Sequence, residues 1–366
     1  MRKILLNPGP ATTSQTVKRA LLVDDICPRE KDFQKIVQSI REDLVKIAGG
    51  DEDYTCVLFA GSGTLAMESC MTSIVPGPGV YGLTGYYALI LSNGAYGERF
   101  STISNLYSDI KAVALMQPYG KPINIRRMRK YMETVPNIGG VFVTHHETTT
   151  GILNNIKEIG KWVKEYNIPY IVDTISSFGG VPFNIRDIKA DFVMSTSNKC
   201  LQGMPGVSFV IAKKDELEKC KFNYRTLYLD LYRQWEYQEK KGQFRFTPPV
   251  QVLYSFRQAL DEFFEEGATA RRKRYIKSCD TLVKGMKDRG FKQFLSDKVE
   301  HSKILETFYD PKDFDFKVFH DKLYKKGFTV YPGKTINDKT FRVAVMGNIN
   351  YTDIELFLEA VDKVME

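Results

Sequence analysis

Long apolar runs are missing from this sequence, and with them any segment of the length that a membrane-spanning helix needs. The opening residues, MRKILLNPGPATT, also lack the apolar core of a secretory signal. Leu5-Leu6-Asn7-Pro8-Gly9-Pro10 reads instead as a short strand breaking into a turn, and a cytoplasmic protein is expected. Paired cysteine motifs are absent as well. Cys27, Cys56, Cys70, Cys200, Cys220 and Cys279 are scattered, with no CxxC and no histidine at ligand spacing. That argues against a disulfide framework or a metal site and suits free thiols in a reducing compartment. No repeat or low-complexity stretch occurs, and no GxGxxG marks a dinucleotide site. The net charge over 366 residues is +8, with one short basic cluster at Arg271-Arg272-Lys273-Arg274. It lies in a helical stretch without interleaved aromatics, so it reads as a solvated helix face, not a nucleic-acid platform. A mildly basic protein suits anionic small molecules.

What is present is an alternation of short, continuously apolar strands with helical stripes. Phe33, Ile36, Val37, Ile40, Leu44 and Ile47 recur at helical spacing, and Gly49-Gly50 closes that helix. Strand-like runs follow at Cys56–Phe59, Ala88–Leu91, Val141–Val143, Tyr170–Val172, Phe192–Met194 and Phe209–Ile211. The pattern predicts an α/β fold whose mostly parallel central sheet is sandwiched by helices. After Thr247-Pro248-Pro249 the character changes to a long helical region from Val250 to about Arg289, then strands near Ile304–Phe308, Phe328–Tyr331 and Phe341–Val345 between further helices. The expected organisation is a large domain over residues 14–245 and a smaller α+β domain over 246–366, joined by the N-terminal segment 1–13.

In an open α/β sheet, ligands bind beyond the carboxyl ends of the strands, so the residues that follow each strand carry the information. After Cys56–Phe59 comes Ala60-Gly61-Ser62-Gly63-Thr64, opening a helix. Small residues there let backbone amides approach a phosphate, hydroxyls add donors, and the helix N-terminus adds positive potential. After Ala88–Leu91 comes Tyr96, a ring able to stack on a planar group or simply to pack. Val141–Val143 leads into Thr144-His145-His146-Glu147-Thr148-Thr149-Thr150-Gly151, unusually polar for its place because buried polar atoms need partners. Asp173 follows Tyr170–Val172 and needs a cationic or donor partner to stay ionised. Lys199 follows Phe192–Met194, where an ammonium must be solvated or have its pKa lowered. Each residue alone has a bland structural reading. Together, in order along one sheet, they supply what pyridoxal phosphate (PLP) requires: a lysine, an acid for the ring nitrogen and a phosphate cradle. Gly333-Lys334-Thr335 imitates the end of a P-loop, but Gly327 lies one residue too far upstream and the intervening run reads as strand.

These segments resemble the class V aminotransferase group of the fold-type I PLP enzymes. The resemblance is carried by LLNPGPATT (Leu5–Thr13), AGSGT (Ala60–Thr64), SNGAYG (Ser92–Gly97), HHETTTG (His145–Gly151), IVDTISSFGG (Ile171–Gly180), SNKCLQGMPG (Ser197–Gly206) and FRFTP (Phe244–Pro248). YPGK (Tyr331–Lys334) and Phe341–Arg342 add to it. It implies that Lys199 carries pyridoxal 5'-phosphate as a Schiff base and moves the proton at the substrate carbon, and that Asp173 pairs with the ring nitrogen. It further implies that Ser62, Gly63 and Thr64 hold the phosphate, that Tyr96 stacks on the ring and that Thr148 contacts its 3′-oxygen side. Thr247 is implied to reach the phosphate of a neighbouring subunit, making a homodimer with shared active sites. Arg342 is implied to clamp the carboxylate of pyruvate and alanine, a task for a bidentate guanidinium. HHETTTG and SNKCLQGMPG point within the group to transamination of 2-aminoethylphosphonate with pyruvate, giving phosphonoacetaldehyde and L-alanine; an alanine–glyoxylate or serine–pyruvate exchange is the alternative. Arg29 and Lys31 are phosphonate-site candidates by charge alone, and Pro76–Tyr87 is longer and less charged than the group's pattern.

Overall fold

The computed structural model describes residues 2–78, 85–335 and 338–366; of the Pro76–Tyr87 stretch, residues 79–84 lie outside these. A seven-stranded sheet runs in the order Tyr54–Ala60, Val207–Lys213, Phe192–Thr196, Tyr170–Asp173, Ile138–Thr144, Tyr87–Ser92, Lys111–Met116. All neighbours pair in parallel except Val207–Lys213, which is antiparallel to both of its partners. Only about ten residues separate it from Phe192–Thr196, too few for the crossover that a parallel pair requires.

Side-chain alternation sends each strand into two cores. Leu58, Val141, Val143, Val172 and Val193 pack on one face with Phe33, Val37 and Leu44 of the helix Lys31–Ile47. Val57, Phe59, Phe142, Ile171 and Met194 pack on the other with Ala66, Met67 and Cys70 of the helix Gly63–Ile74. With both faces covered, the strands have no polar side, which is why they read as unbroken apolar runs. The edge strand Lys111–Met116 is mostly exposed and lacks that signature, so its sequence did not announce it.

A third core joins Ile4 and Leu6 to Leu282, Phe308, Phe341, Val343, Phe357 and Val361, around a sheet ordered Leu305–Tyr309, Thr340–Ala344, Tyr331–Pro332. Ile4–Leu5 pairs in parallel with Phe328–Thr329. The long helical region is broken in two, Val250–Glu266 and Ala268–Asp288, at Gly267, whose φ of +79° a helix cannot continue. Val250–Glu266 packs in the large sheet's core, whereas Leu282 and Met286 of the second helix belong to the third.

The basic cluster is a correction. Arg271 is buried, donating to Glu266 and to the Cys200 carbonyl; Arg274 pairs with Glu266 and donates to the Gly347 carbonyl, and Arg272 donates to the Ser302 carbonyl. These guanidiniums join the two parts of the molecule, because unpaired carbonyls at the junction need donors. No described helix is long and apolar enough to cross a membrane.

Candidate active site

The parallel register aligns Thr144, Asp173 and Met194 at the carboxyl edge of the sheet. Asp173 is buried there: its Oδ1 accepts from the Ile175 N–H at 2.8 Å and its Oδ2 from the Thr144 hydroxyl at 3.3 Å. Burial pushes its pKa up to about 7; the Ile175 amide holds it down, and the negative charge of Glu147 adds to the rise. No basic side chain among the described residues forms an ion pair with it.

Lys199 sits past the end of the next strand, and burial lowers its ammonium's pKa. Its Nζ donates to the Pro8 carbonyl, and a Cβ on Gly9 would overlap the lysine chain, so the N-terminal turn lies directly over it. Tyr96, Arg342 and Asp173 lie near enough for their charges to act on Lys199. Tyr96, half-buried, has its phenol pushed up by burial but drawn lower on balance by Lys199, Arg342 and Lys334. The Arg99 guanidinium lies 4.7 Å from the Tyr96 ring centre and the Lys334 Nζ 5.1 Å.

Arg342 is buried at the other side, its Nε donating to the Pro332 carbonyl at 3.0 Å and its Nη1 to the Thr148 carbonyl at 3.2 Å. Thr148 is fully buried, and its hydroxyl meets only a loose contact with the Tyr96 phenol, short of a well-formed hydrogen bond. Ser62 is the N-cap of the helix Gly63–Ile74 but spends no side-chain bond on it, leaving hydroxyl and first-turn amides for an anion. Gly63 has no room for a side chain: a Cβ would stand 2.8 Å from Ile175, two residues beyond Asp173. Thr64 accepts from Arg99 at 3.0 Å.

The structure therefore brings Lys199, Asp173, Tyr96, Thr148 and Arg342 together, with Ser62, Gly63 and Thr64 at the adjoining helix start. Thr247 is exposed on the segment where Phe246 stacks on Tyr228, whose hydroxyl donates to the Ala60 carbonyl at 3.1 Å. Arg29 donates to Tyr237 and Gln243 and to none of the site residues. His145 and His146 are held neutral by burial, with pKa values pushed down to about 3 and about 4. Sequence reasoning misses Arg99, one helical turn past Tyr96, and the carbonyl of Pro8, in a turn to which it assigns no role at the site.

A mostly parallel sheet with lysine, buried acid, aromatic ring and open helix start along one edge is the architecture of a PLP-dependent aminotransferase of fold type I. A family model described as aminotransferase class-V matches residues 23–335, and the chain belongs to that family. It is 41% identical over 365 residues to a 2-aminoethylphosphonate–pyruvate transaminase of Phocaeicola vulgatus, covering 99% of this chain and 98% of the relative. It is likewise 41% identical over 364 residues to one of Lysinibacillus sphaericus, covering 99% and 97%. Among solved structures, an alanine–glyoxylate aminotransferase from Nostoc sp. superposes with TM-score 0.89 at 24% identity, covering all of this chain and 96% of that one. A pyridoxamine–pyruvate aminotransferase from Mesorhizobium loti superposes with TM-score 0.88 at 24% identity, covering 100% and 92%.

The site fits PLP on its own geometry. Among the described residues, Thr148 offers a buried hydroxyl with no well-formed hydrogen bond and Asp173 a buried carboxyl with no ion-pair partner, while Gly63 gives a close backbone approach beside an N-cap hydroxyl not used in capping.

Proposed function

We propose that this enzyme transfers the amino group of 2-aminoethylphosphonate to pyruvate, giving phosphonoacetaldehyde and L-alanine, with pyridoxal 5'-phosphate bound at Lys199. What supports the substrate reading is the 41% identity, over nearly the whole of both chains, to transaminases of that name. The alanine–glyoxylate alternative has only a shared fold behind it, at 24% identity.

When bound, PLP supplies an electron sink for the carbon that bears nitrogen. The protein's residues do the rest. Lys199, disfavoured as an ammonium by burial, provides a neutral amine at Nζ that attaches the cofactor and later takes the proton from the substrate's nitrogen-bearing carbon. Asp173 gives the ring nitrogen a carboxylate; facing a cation, its raised pKa falls back and it ionises. Tyr96 would back the ring, Thr148 would offer its hydroxyl to the 3′-oxygen side, and Ser62, Gly63 and Thr64 would hold the phosphate. Arg342, with one N–H each of Nε and Nη1 on carbonyls, keeps Nη2 and the second N–H of Nη1 for the pyruvate carboxylate. 2-Aminoethylphosphonate has no carboxylate, so Arg342 serves chiefly the pyruvate half. Thr247, exposed on one protomer, serves the phosphate of a second, and the enzyme works as a cytoplasmic homodimer in phosphonate breakdown.

The test is a visible spectrum of the PLP-loaded protein with no keto acid present. 2-Aminoethylphosphonate should bleach the visible band and pyruvate should restore it. A band untouched by the phosphonate but bleached by alanine or serine would transfer the assignment to the alternative.

A further inference from the structure

The HHETTTG segment contains a fully buried carboxylate, Glu147, that the mechanism above does not use. Its surroundings are specific. Oε2 accepts the backbone N–H of Tyr96 at 3.1 Å and of Gly97 at 3.0 Å; Oε1 accepts the N–H of Thr149 at 3.0 Å and its hydroxyl at 2.6 Å. The same Thr149 oxygen accepts the N–H of Ala95 at 3.0 Å. The first three amides of the helix Ala95–Ser104 are thus all satisfied from a loop some fifty residues later in the chain. The helix's own N-cap residue is Gly94, which has no side chain to offer, and a Cβ there would overlap Glu147. The backbone N–H groups of Tyr96, Gly97 and Thr149 and the Thr149 hydroxyl face this carboxyl. Burial pushes its pKa up and the bonds from Thr149, Gly97 and Tyr96 hold it down; as an anion it is fully partnered at the positive end of a helix.

We infer that Glu147, with Thr149, is a positioning residue that fixes the Tyr96 ring against the cofactor and in register with Arg342. The helix it caps carries Tyr96 in its first turn. Between the two capping residues stands Thr148, whose hydroxyl lies near the Tyr96 phenol and whose carbonyl accepts from Arg342. Thr307, on the strand paired with that of Arg342, donates to the Thr149 carbonyl at 3.1 Å. Residues 147–149 therefore tie the ring wall, the 3′-oxygen contact and the carboxylate clamp into one unit. An anion here also acts on Asp173, whose proton affinity it raises.

This rests on the reading that PLP stacks on Tyr96, so the test measures cofactor binding apart from substrate. Glu147→Gln turns an amide N–H₂ toward N–H donors, and Thr149→Val removes the link to Ala95, while Thr149→Ser retains it. PLP affinity should be read by equilibrium dialysis, and ring pose by the circular dichroism of the bound chromophore, on proteins shown by far-UV spectra to be folded. Loss of one charge-assisted hydrogen bond predicts affinity about 10- to 100-fold weaker in Glu147→Gln. Thr149→Val should move in the same direction and Thr149→Ser should restore the parent values, with the chromophore's signal altered in the first two only. Should Glu147→Gln not fold, the threonine pair decides alone. Parent affinity and signal in Thr149→Val, or equal loss in Thr149→Val and Thr149→Ser, overturns the inference. Failure of the substrate reading would leave these binding results unchanged, whereas loss of PLP binding in the parent protein would remove the underlying reading itself.

Discussion

In the PLP-free protein, Asp173 should be a stability liability that a single isosteric substitution removes. Its carboxyl is buried, meets one amide and one hydroxyl, and titrates near 7 against an ordinary value of 3.8. A carboxyl whose folded pKa is raised stabilises the protein most while both states stay protonated, below about pH 4. That contribution is lost as the pH climbs toward 7, because the unfolded chain ionises first. At about 1.4 kcal/mol for each pH unit between the two values, the penalty above neutrality is roughly 4 kcal/mol, and about 2–3 kcal/mol of it accrues between pH 5 and pH 8. Asp173→Asn keeps the shape: its carbonyl can accept from Ile175, and the Thr144 hydroxyl can turn to accept from the amide. The assay is denaturant unfolding of PLP-free parent and variant near both pH values. The variant should gain on the parent by that 2–3 kcal/mol as the pH rises, while its PLP-loaded activity falls at least about 1,000-fold, since an amide cannot hold the ring nitrogen's proton. A stability difference that stays flat or reverses between the two pH values would refute the reasoning.

Lys199→Ala should retain no PLP through desalting and show no turnover; appreciable turnover would remove Lys199 from the centre of the mechanism. Arg342→Ala should raise the KM for pyruvate about 100-fold, the worth of a charge-assisted pair, while single-turnover rates with 2-aminoethylphosphonate fall far less; equal losses in both halves would sink the clamp. Gly9→Ala should weaken PLP retention and lower the melting temperature. Its φ of +122° disfavours a side chain, and the new methyl would overlap Lys199, so a variant with parent-like melting and PLP content would contradict the placement of the N-terminal turn.

Much of the site was legible because it sits where strands stop. Asp173 ends a run of apolar residues, the glycines of Gly61–Gly63 and Lys199 follow one within a few residues, and a polar group following a buried strand stands out by contrast. The sheet was readable for the same reason, except Lys111–Met116, where edge exposure dilutes the apolar signal. What sequence could not carry were contacts made by backbone and by distance in the chain. The Pro8 carbonyl over Lys199 spans 191 residues and has no side chain to notice. Glu147 was visible as an unexplained polar residue, but its partners are amides, which every residue has. Arg271 shows the reverse error: a run of four basic residues looks like a wet surface until carbonyls at a junction claim it.

The most direct test of the central claim is a stoichiometric turnover experiment with the PLP-loaded enzyme, offered 2-aminoethylphosphonate and pyruvate, or in parallel alanine and glyoxylate, or serine and pyruvate. The account predicts L-alanine and phosphonoacetaldehyde in equal amounts, with kcat/KM for the phosphonate pair well above that of either other pair. Faster exchange with alanine–glyoxylate or serine–pyruvate, and no phosphonoacetaldehyde, would contradict it.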